Sequence, residues 1–252
     1  IAWAWRQYLE HPDEPEWIPR LPMVRAGMRC MQAAQQYAAA AKVGDIQGWV
    51  ASGASKRGWN TWMVGAADEA CSWCPKIVGL VPMVPIIPNL HKDVHVQYRS
   101  YGGLTFAFRD YLDAGIISKF DGAPFQSLMA ITDTASYASR LAKLPKLIVL
   151  SSDDEFMQMD WSAGFPAYGE SHLFIAPNSE HSLTTGIPEV LDAVTVFFAS
   201  VAAGETADER PSFSWERDAA SGDITVTVPA GKPPPTKAVL RHAQTLSSKR
   251  RD

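Results

Sequence analysis

Three residue types able to run acyl transfer stand in this chain in a telling order: a serine, a carboxylate cluster and a histidine. Ser55 lies in Gly53-Ala54-Ser55-Lys56-Arg57-Gly58, between the apolar run Gly48-Trp49-Val50-Ala51 and the stretch Trp59-Asn60-Thr61-Trp62-Met63-Val64. The run predicts a strand and the stretch a helix, so the serine falls on a strand-to-helix turn flanked by small residues. A turn that sharp pushes the hydroxyl out above the carboxyl end of the strand and aims the next backbone N–H, that of Lys56, where an oxyanion would form. The spacing is G-x-S-x-x-G rather than G-x-S-x-G, with Arg57 where the second glycine is expected. On its own this hexapeptide equally suits an ordinary strand–helix junction.

The partners follow downstream. Lys146-Leu147-Ile148-Val149-Leu150 is continuously apolar after its first residue, as a strand covered on both faces should be, and ends in Ser151-Ser152-Asp153-Asp154-Glu155. His172-Leu173-Phe174-Ile175-Ala176 reads as another strand and ends in Pro177-Asn178-Ser179-Glu180-His181. Ser, acid and His in that chain order, each just after a strand, is the order of α/β-hydrolases. In a parallel sheet all three strand ends meet at one edge. Each residue also has a plainer reading: acids after a strand cap helices, and a loop histidine is usually just solvated. His91 and His95 stand at i, i+4, but no carboxylate lies between them as a zinc-protease helix requires, so no metal is expected.

At these residues the chain resembles the PhoPQ-activated pathogenicity-related proteins, a group with an α/β-hydrolase-like fold. The resemblance is carried by Gly53-Ala54-Ser55-Lys56-Arg57-Gly58-Trp59, by Asp154-Glu155-Phe156 with Asp160, and by Pro177-Asn178-Ser179-Glu180-His181-Ser182-Leu183. Glu16-Trp17, Leu21-Pro22-Met23 and Pro145-Lys146 support it. It extends over nearly the whole chain and implies Ser55 as nucleophile, Asp154 rather than Asp153 as the acid, and His181 as the base. It also implies export, a poorly defined substrate, and relatives that act as secreted signalling proteins. The family is longer at its N-terminus, where preceding strands supply the second oxyanion donor, so the chain is expected to be an internal fragment or the product of a truncated gene model.

The expected fold is therefore α/β: a hydrolase-type parallel sheet lacking its N-terminal strands over 1–204, with 89–143 as a cap, followed by a partial β module over 205–252. Residues 22–42 read as a helix with Met23, Ala26, Met31, Ala34 and Tyr37 or Ala38 inward, Pro22 in its first turn and Gly44 at its stop. Residues 76–87 read as β-rich, 105–114 and 124–131 as helices, and 188–203 as the last helix, burying Val190, Leu191, Val194, Phe197 and Phe198. Beyond Gly204, 212–215 and 223–228 alternate as half-exposed strands, and Ala238-Val239-Leu240 begins a third. Such a module is too small to bury a core alone.

A net charge of −4, with no basic stripe before Lys249-Arg250-Arg251, argues against nucleic acid, and no apolar run is long enough to span a bilayer. Cys71-Ser72-Trp73-Cys74 suits a redox pair or a tight disulfide, but two thiols in a loop is the simpler reading. Cys30 is expected in the core. Lys56 and Arg57 place positive charge at a helix start, unfavourable by about 0.3–1 kcal/mol each. A cost kept beside a nucleophile suggests an acidic group on the substrate; ordinary salt bridges are the alternative. Trp59, Trp62 and Trp161 are candidates to line a pocket, although such tryptophans more often fill cores. The expected activity is hydrolysis of an ester or amide, small molecule or peptide, through Ser55 and without a cofactor; the alternative is a secreted hydrolase-fold binding or signalling protein.

Overall fold

The computed structural model describes residues 1–68, 71–85, 88–159, 165, 167–232 and 234–244. Its central sheet has four strands, β1 (Trp49–Ala54), β2 (Ile77–Met83), β3 (Lys146–Ser151) and β4 (Ser171–Ala176), in the order β1-β2-β3-β4. Every adjacent pair is parallel, so the carboxyl ends of all four open on one edge. β3 is buried along its whole length, which is why it reads as an unbroken aliphatic run. Its alternate side chains divide between the two faces: Ile148 and Leu150 join the core on one side, Leu147 and Val149 that on the other.

Two helices cover the first face. α2 (Arg20–Ala40) and α3 (Lys56–Asp68) bring Met28, Trp62 and Val64 against Leu80 and Ile148. The opposite face is closed by α8 (Ile187–Ala202) through Val190 and Phe197. The chain between β2 and β3 winds through α4 (Leu90–Tyr101), α5 (Arg109–Asp113), α6 (Ala123–Thr132) and α7 (Ala138–Leu141). With α1 (Ala2–Glu10) and α3, this segment builds a third apolar cluster around Trp5, Trp59, Phe125 and Leu128. That cluster sits over the strand ends and forms the wall of the site described below. Among the described residues no helix is long and apolar enough to cross a membrane.

Several sequence expectations need correction. Cys30 is exposed. α2 lies on α3 along a narrow stripe that includes Met28, and Cys30, two residues on, points about 200° away around the helix. Ala26 is likewise exposed, and of the pair Tyr37 or Ala38 it is Ala38 that is half-buried while Tyr37 faces solvent. On α8, Leu191 and Phe198 face solvent because the sheet takes up only the stripe through Val190, Val194, Phe197 and Val201. The helix read over 105–114 is a 3-10 turn, Phe106–Phe108, leading into the short α5. Cys71 and Cys74 are joined as a disulfide rather than standing as two thiols. Ile86, Ile87 and 245–252 lie outside the described residues.

Past α8, β5 (Ser214–Arg217) and β6 (Ile224–Thr227) pair antiparallel as a hairpin with all eight residues exposed. The stretch 238–240 forms no strand. Pro234 and Pro235, which have no N–H to give a ladder, separate it from β6.

One buried cation lies at the foot of the sheet. Lys146, at the start of β3, is fully buried and donates from Nζ to the carbonyls of Leu141, at 2.8 Å, and Leu144. Burial lowers its pKa from 10.5 to about 8, with Glu170 acting in the opposite direction. Between those two values the unfolded chain holds a proton that the native state has released, so stability rises with pH there; below about 8 both states are protonated and the effect is absent. The urea-unfolding free energy of the wild type should therefore carry a rising component, at most about 1.4 kcal/mol per pH unit, above pH 8 that Lys146→Met lacks. Identical pH slopes in the two proteins would show that Lys146 stays charged where it is.

Candidate active site

β1 and α3 are joined by a single residue, Ser55, whose φ of 56° lies in the left-handed region. A non-glycine residue there costs about 1–2 kcal/mol, and two close approaches show why the chain cannot relax it. A Cβ on Gly53 would stand 2.7 Å from the Arg57 carbonyl oxygen; one on Gly58 would stand 2.6 Å from that of Met83 and 3.0 Å from that of Gly53. The glycine that falls one place late in the motif is thus where α3 touches the end of β2. Arg57, in the place usually held by that glycine, is exposed. The Ser55 N–H donates to Met83 O at 2.9 Å, tying the turn to β2.

The loops after β3 and β4 bring the other two residues to the same edge. His181 Nε2 lies 2.7 Å from Ser55 Oγ, and its Nδ1 lies 2.9 and 3.0 Å from the two carboxylate oxygens of Asp154. A carboxylate only accepts, so the imidazole proton sits on Nδ1 and the Nε2 lone pair is left for the serine hydroxyl. The Asp154 side chain is 1% exposed and that of His181 12%. Burying a carboxylate is costly unless its lone pairs are filled. Here Oδ1 also accepts from the backbone N–H of Phe156 and Met157, both at 2.8 Å, and Oδ2 from Ser151 Oγ at 3.2 Å.

The three neighbouring acids are told apart by their surroundings. Asp153 is exposed, whereas Glu155 accepts from the His181 backbone N–H at 3.1 Å and so fixes the loop that carries the imidazole. Phe156 packs on the His181 ring, centroids 4.7 Å apart.

Beside Ser55 lies a cavity of about 60 Å³. Lys56 and Trp59 line it from α3, Trp5 from α1 and Arg20 from α2. Phe108, Tyr111 and Phe120 close it from the segment between β2 and β3, and Phe156 from the loop after β3. Of the residues singled out in the sequence, Ser55, Asp154 and His181 are brought together, Lys56 and Trp59 line the cavity, and Arg57 does not. Trp161 lies outside the described residues. Trp62 is core, stacked on Phe165. Trp59 serves both ways: its indole Nε1 donates to Thr132 O at 2.7 Å, anchoring it in the core, while the ring forms part of the cavity wall.

The residue that sequence reading overlooked is Arg20. It is 1% exposed, its guanidinium carbon stands 4.1 Å from the centroid of the Trp59 ring, and Nη1 donates to Lys56 O at 2.6 Å. In the structure it is, like Lys56 and Arg57, a cation in the first turn of a helix, where the helix dipole disfavours it, but the periodicity begins that helix at residue 22 and leaves Arg20 outside it.

Elsewhere, His91 Nε2 meets Asp121 Oδ1 at 2.9 Å and the His91 and His95 rings are 4.7 Å apart. One ligand atom from each of the three lies within 4.8 Å of the others. Asp121 reaches the two histidines from 30 residues beyond His91.

Residues 1–252 match the family model for PhoPQ-activated pathogenicity-related protein. Autocrine proliferation repressor protein A of Dictyostelium discoideum is 36% identical over 261 residues, covering 100% of this chain and 50% of that protein. The chain thus spans about half the length of that relative. Among solved structures, carboxyl esterase 2 of the fungus Tuber melanosporum aligns at 16% identity and a TM-score of 0.48, over 67% of this chain and 59% of that one. A carboxylesterase of the thaumarchaeon Nitrososphaera gargenis aligns at 14% identity and a TM-score of 0.44, over 72% and 73%. The match over the whole length, and the relative that is 36% identical across it, mean that the chain belongs to the PhoPQ-activated pathogenicity-related protein family, built here on a parallel α/β sheet.

Proposed function

We propose that this chain carries a serine hydrolase centre acting on an ester or amide, with Ser55 as nucleophile, His181 as general base and then acid, and Asp154 holding the imidazole. The observation that carries the proposal is the continuous hydrogen-bonded chain from Ser55 Oγ through His181 to Asp154. In acylation Ser55 Oγ bonds to the carbonyl carbon while its proton passes to His181 Nε2, and Asp154 stabilises the resulting imidazolium. The oxyanion is met by the Lys56 N–H, one of the first helical donors that α3 leaves without an internal partner. Collapse breaks the bond to the leaving alcohol or amine, which takes the proton from Nε2. Water then repeats the sequence on the acyl-enzyme, giving its proton to His181 and releasing the acid. The chemistry needs no metal or cofactor. The substrate is a small molecule or peptide bearing an acidic group, a reading supported by the two cations lining the cavity.

A second reading, a secreted binding or signalling protein on a hydrolase fold, draws on the name of the Dictyostelium relative, a repressor of proliferation. The Cys71–Cys74 disulfide supports an oxidising, extracytoplasmic location for either reading. Neither nucleic acid nor a membrane is proposed as a partner.

The two readings separate at Ser55. Under the first, a fluorophosphonate labels Ser55 of the folded protein, His181→Ala abolishes labelling, and Asp154→Asn lowers kcat by about 10⁴-fold, since the wrong tautomer then faces the serine. Absence of labelling, with Ser55→Ala leaving biological activity intact, would favour the second. The strained turn gives a separate expectation. Ser55→Gly should be more stable than Ser55→Ala by about 1 kcal/mol in urea unfolding, because only glycine holds a φ of 56° freely. Equal stabilities would show that the turn is not strained.

A further inference from the structure

Arg20 is a buried cation with too few partners. Of its nitrogens only Nη1 is engaged, with Lys56 O and, at 3.9 Å, Met23 Sδ; Nε has no hydrogen-bond partner among the described residues. It makes no ion pair among them either. Its surroundings are aromatic: Trp59 under the guanidinium, and Tyr111 across the cavity they both line. Burial lowers its pKa to about 10, with Tyr111 acting in the opposite direction. Asp154 shows the opposite treatment, its carboxylate meeting the Phe156 and Met157 N–H groups, Ser151 Oγ and His181 Nδ1.

Among the described residues lining the cavity, Arg20 and Lys56 are the charged side chains and no carboxylate is present. A guanidinium is also the side chain that fits a carboxylate bidentately, and Arg20 lines the cavity with its Nε unpartnered among the described residues. If Arg20 served only to bolt the Lys56 carbonyl, a neutral donor would do as well and would avoid the cost of burying the charge.

We propose that Arg20 is an anion-recognition group, and that the acyl chain transferred to Ser55 ends in its own carboxylate, close enough to the scissile carbonyl to span from Ser55 to the guanidinium. This rests on the hydrolase reading for the chemistry, though not for the binding of the anion. A cavity of about 60 Å³ holds only a few water molecules and therefore selects short acyl groups, with dicarboxylic half-esters of three to five carbons, roughly, as the class. The guanidinium takes the distal carboxylate, the aromatic wall takes the methylenes, and Lys56 at the rim attracts the approaching anion.

The test compares monoethyl succinate with ethyl butyrate, two esters of similar length that differ in the distal carboxylate, with acid release followed by pH-stat. The wild type should favour the half-ester in kcat/KM by about tenfold or more, the worth of a charge-assisted pair. Arg20→Gln should collapse that ratio, and Arg20→Lys, which keeps the charge without the fork, should fall between. A wild-type preference for the butyrate, or an Arg20→Gln loss equal for both esters, would overturn the proposal and leave Arg20 as a bolt for the turn. If Arg20→Gln does not fold, the wild-type ratio and Arg20→Lys still decide.

Failure of the hydrolase reading is recognised separately, as no turnover of either ester and no fluorophosphonate labelling. Succinate titrated into the full chain under calorimetry then decides the anion subsite alone. Binding by wild type and Ser55→Ala that is weakened in Arg20→Lys and lost in Arg20→Gln would sustain it, and no heat with folded wild type would sink it.

Discussion

The turn at Ser55 is the constraint on which the site depends. A residue with a Cβ is held at a left-handed φ because the chain must leave β1 and enter α3 without an intervening loop, and that is possible only if helix and strand nearly touch. Gly53 and Gly58 are the contact points, one facing the first turn of α3 and the other the end of β2. The parallel pairing of β1 with β2, extended by the bond from Ser55 N–H to Met83 O, prevents the turn from unwinding. Strain of this kind persists where surrounding packing over-determines it, and here its result is a hydroxyl standing clear of the sheet edge.

The loops after β3 and β4 solve a different problem, that of holding an imidazole without spending flexible residues on it. They are laced together by backbone bonds, Ser152 N–H to Ala176 O and Asp153 N–H to Ser179 O, and by Asn178 N–H to Ser152 Oγ. Glu155 grips the His181 backbone while Asp154 grips its ring. The acidic run is thus a division of labour among three adjacent carboxylates: one in solvent, one on the imidazole, one on the main chain. The distinction arises from burial and from which N–H groups each carboxylate meets.

Charge in the site is distributed unevenly. Asp154 is buried and saturated with donors, so its negative charge is offset locally. Arg20 is buried, lines the cavity and has an Nε without a partner among the described residues. A site with one satisfied and one unsatisfied buried charge is prepared for a ligand of a particular sign, which is the physical content of the proposed preference for anionic acyl groups.

Much of this was legible in the chain itself. The aliphatic run at 146–150 reads as a strand covered on both faces, and the glycines around Ser55 announced a close approach; together with the order serine, acidic cluster, histidine they indicated a parallel sheet and the edge at which those segments meet. These are local or periodic signals, and local propensity and pattern carry them. What required the tertiary structure was everything set by contacts distant in sequence. The late glycine became intelligible only once α3 lay against β2. The buried stripes of α2 and α8 were narrower than periodicity implied, because among the described residues α2 packs chiefly on α3 and α8 on one face of the sheet, which exposes Cys30, Leu191 and Phe198. The choice among Asp153, Asp154 and Glu155, which resemblance alone had favoured, acquired its cause from the N–H groups around each. Arg20 was invisible as a site residue, since its place beside Ser55 is created by α2 packing on α3, and nothing within its own segment records that 36 residues later a turn would bring Lys56 within 2.6 Å of its guanidinium.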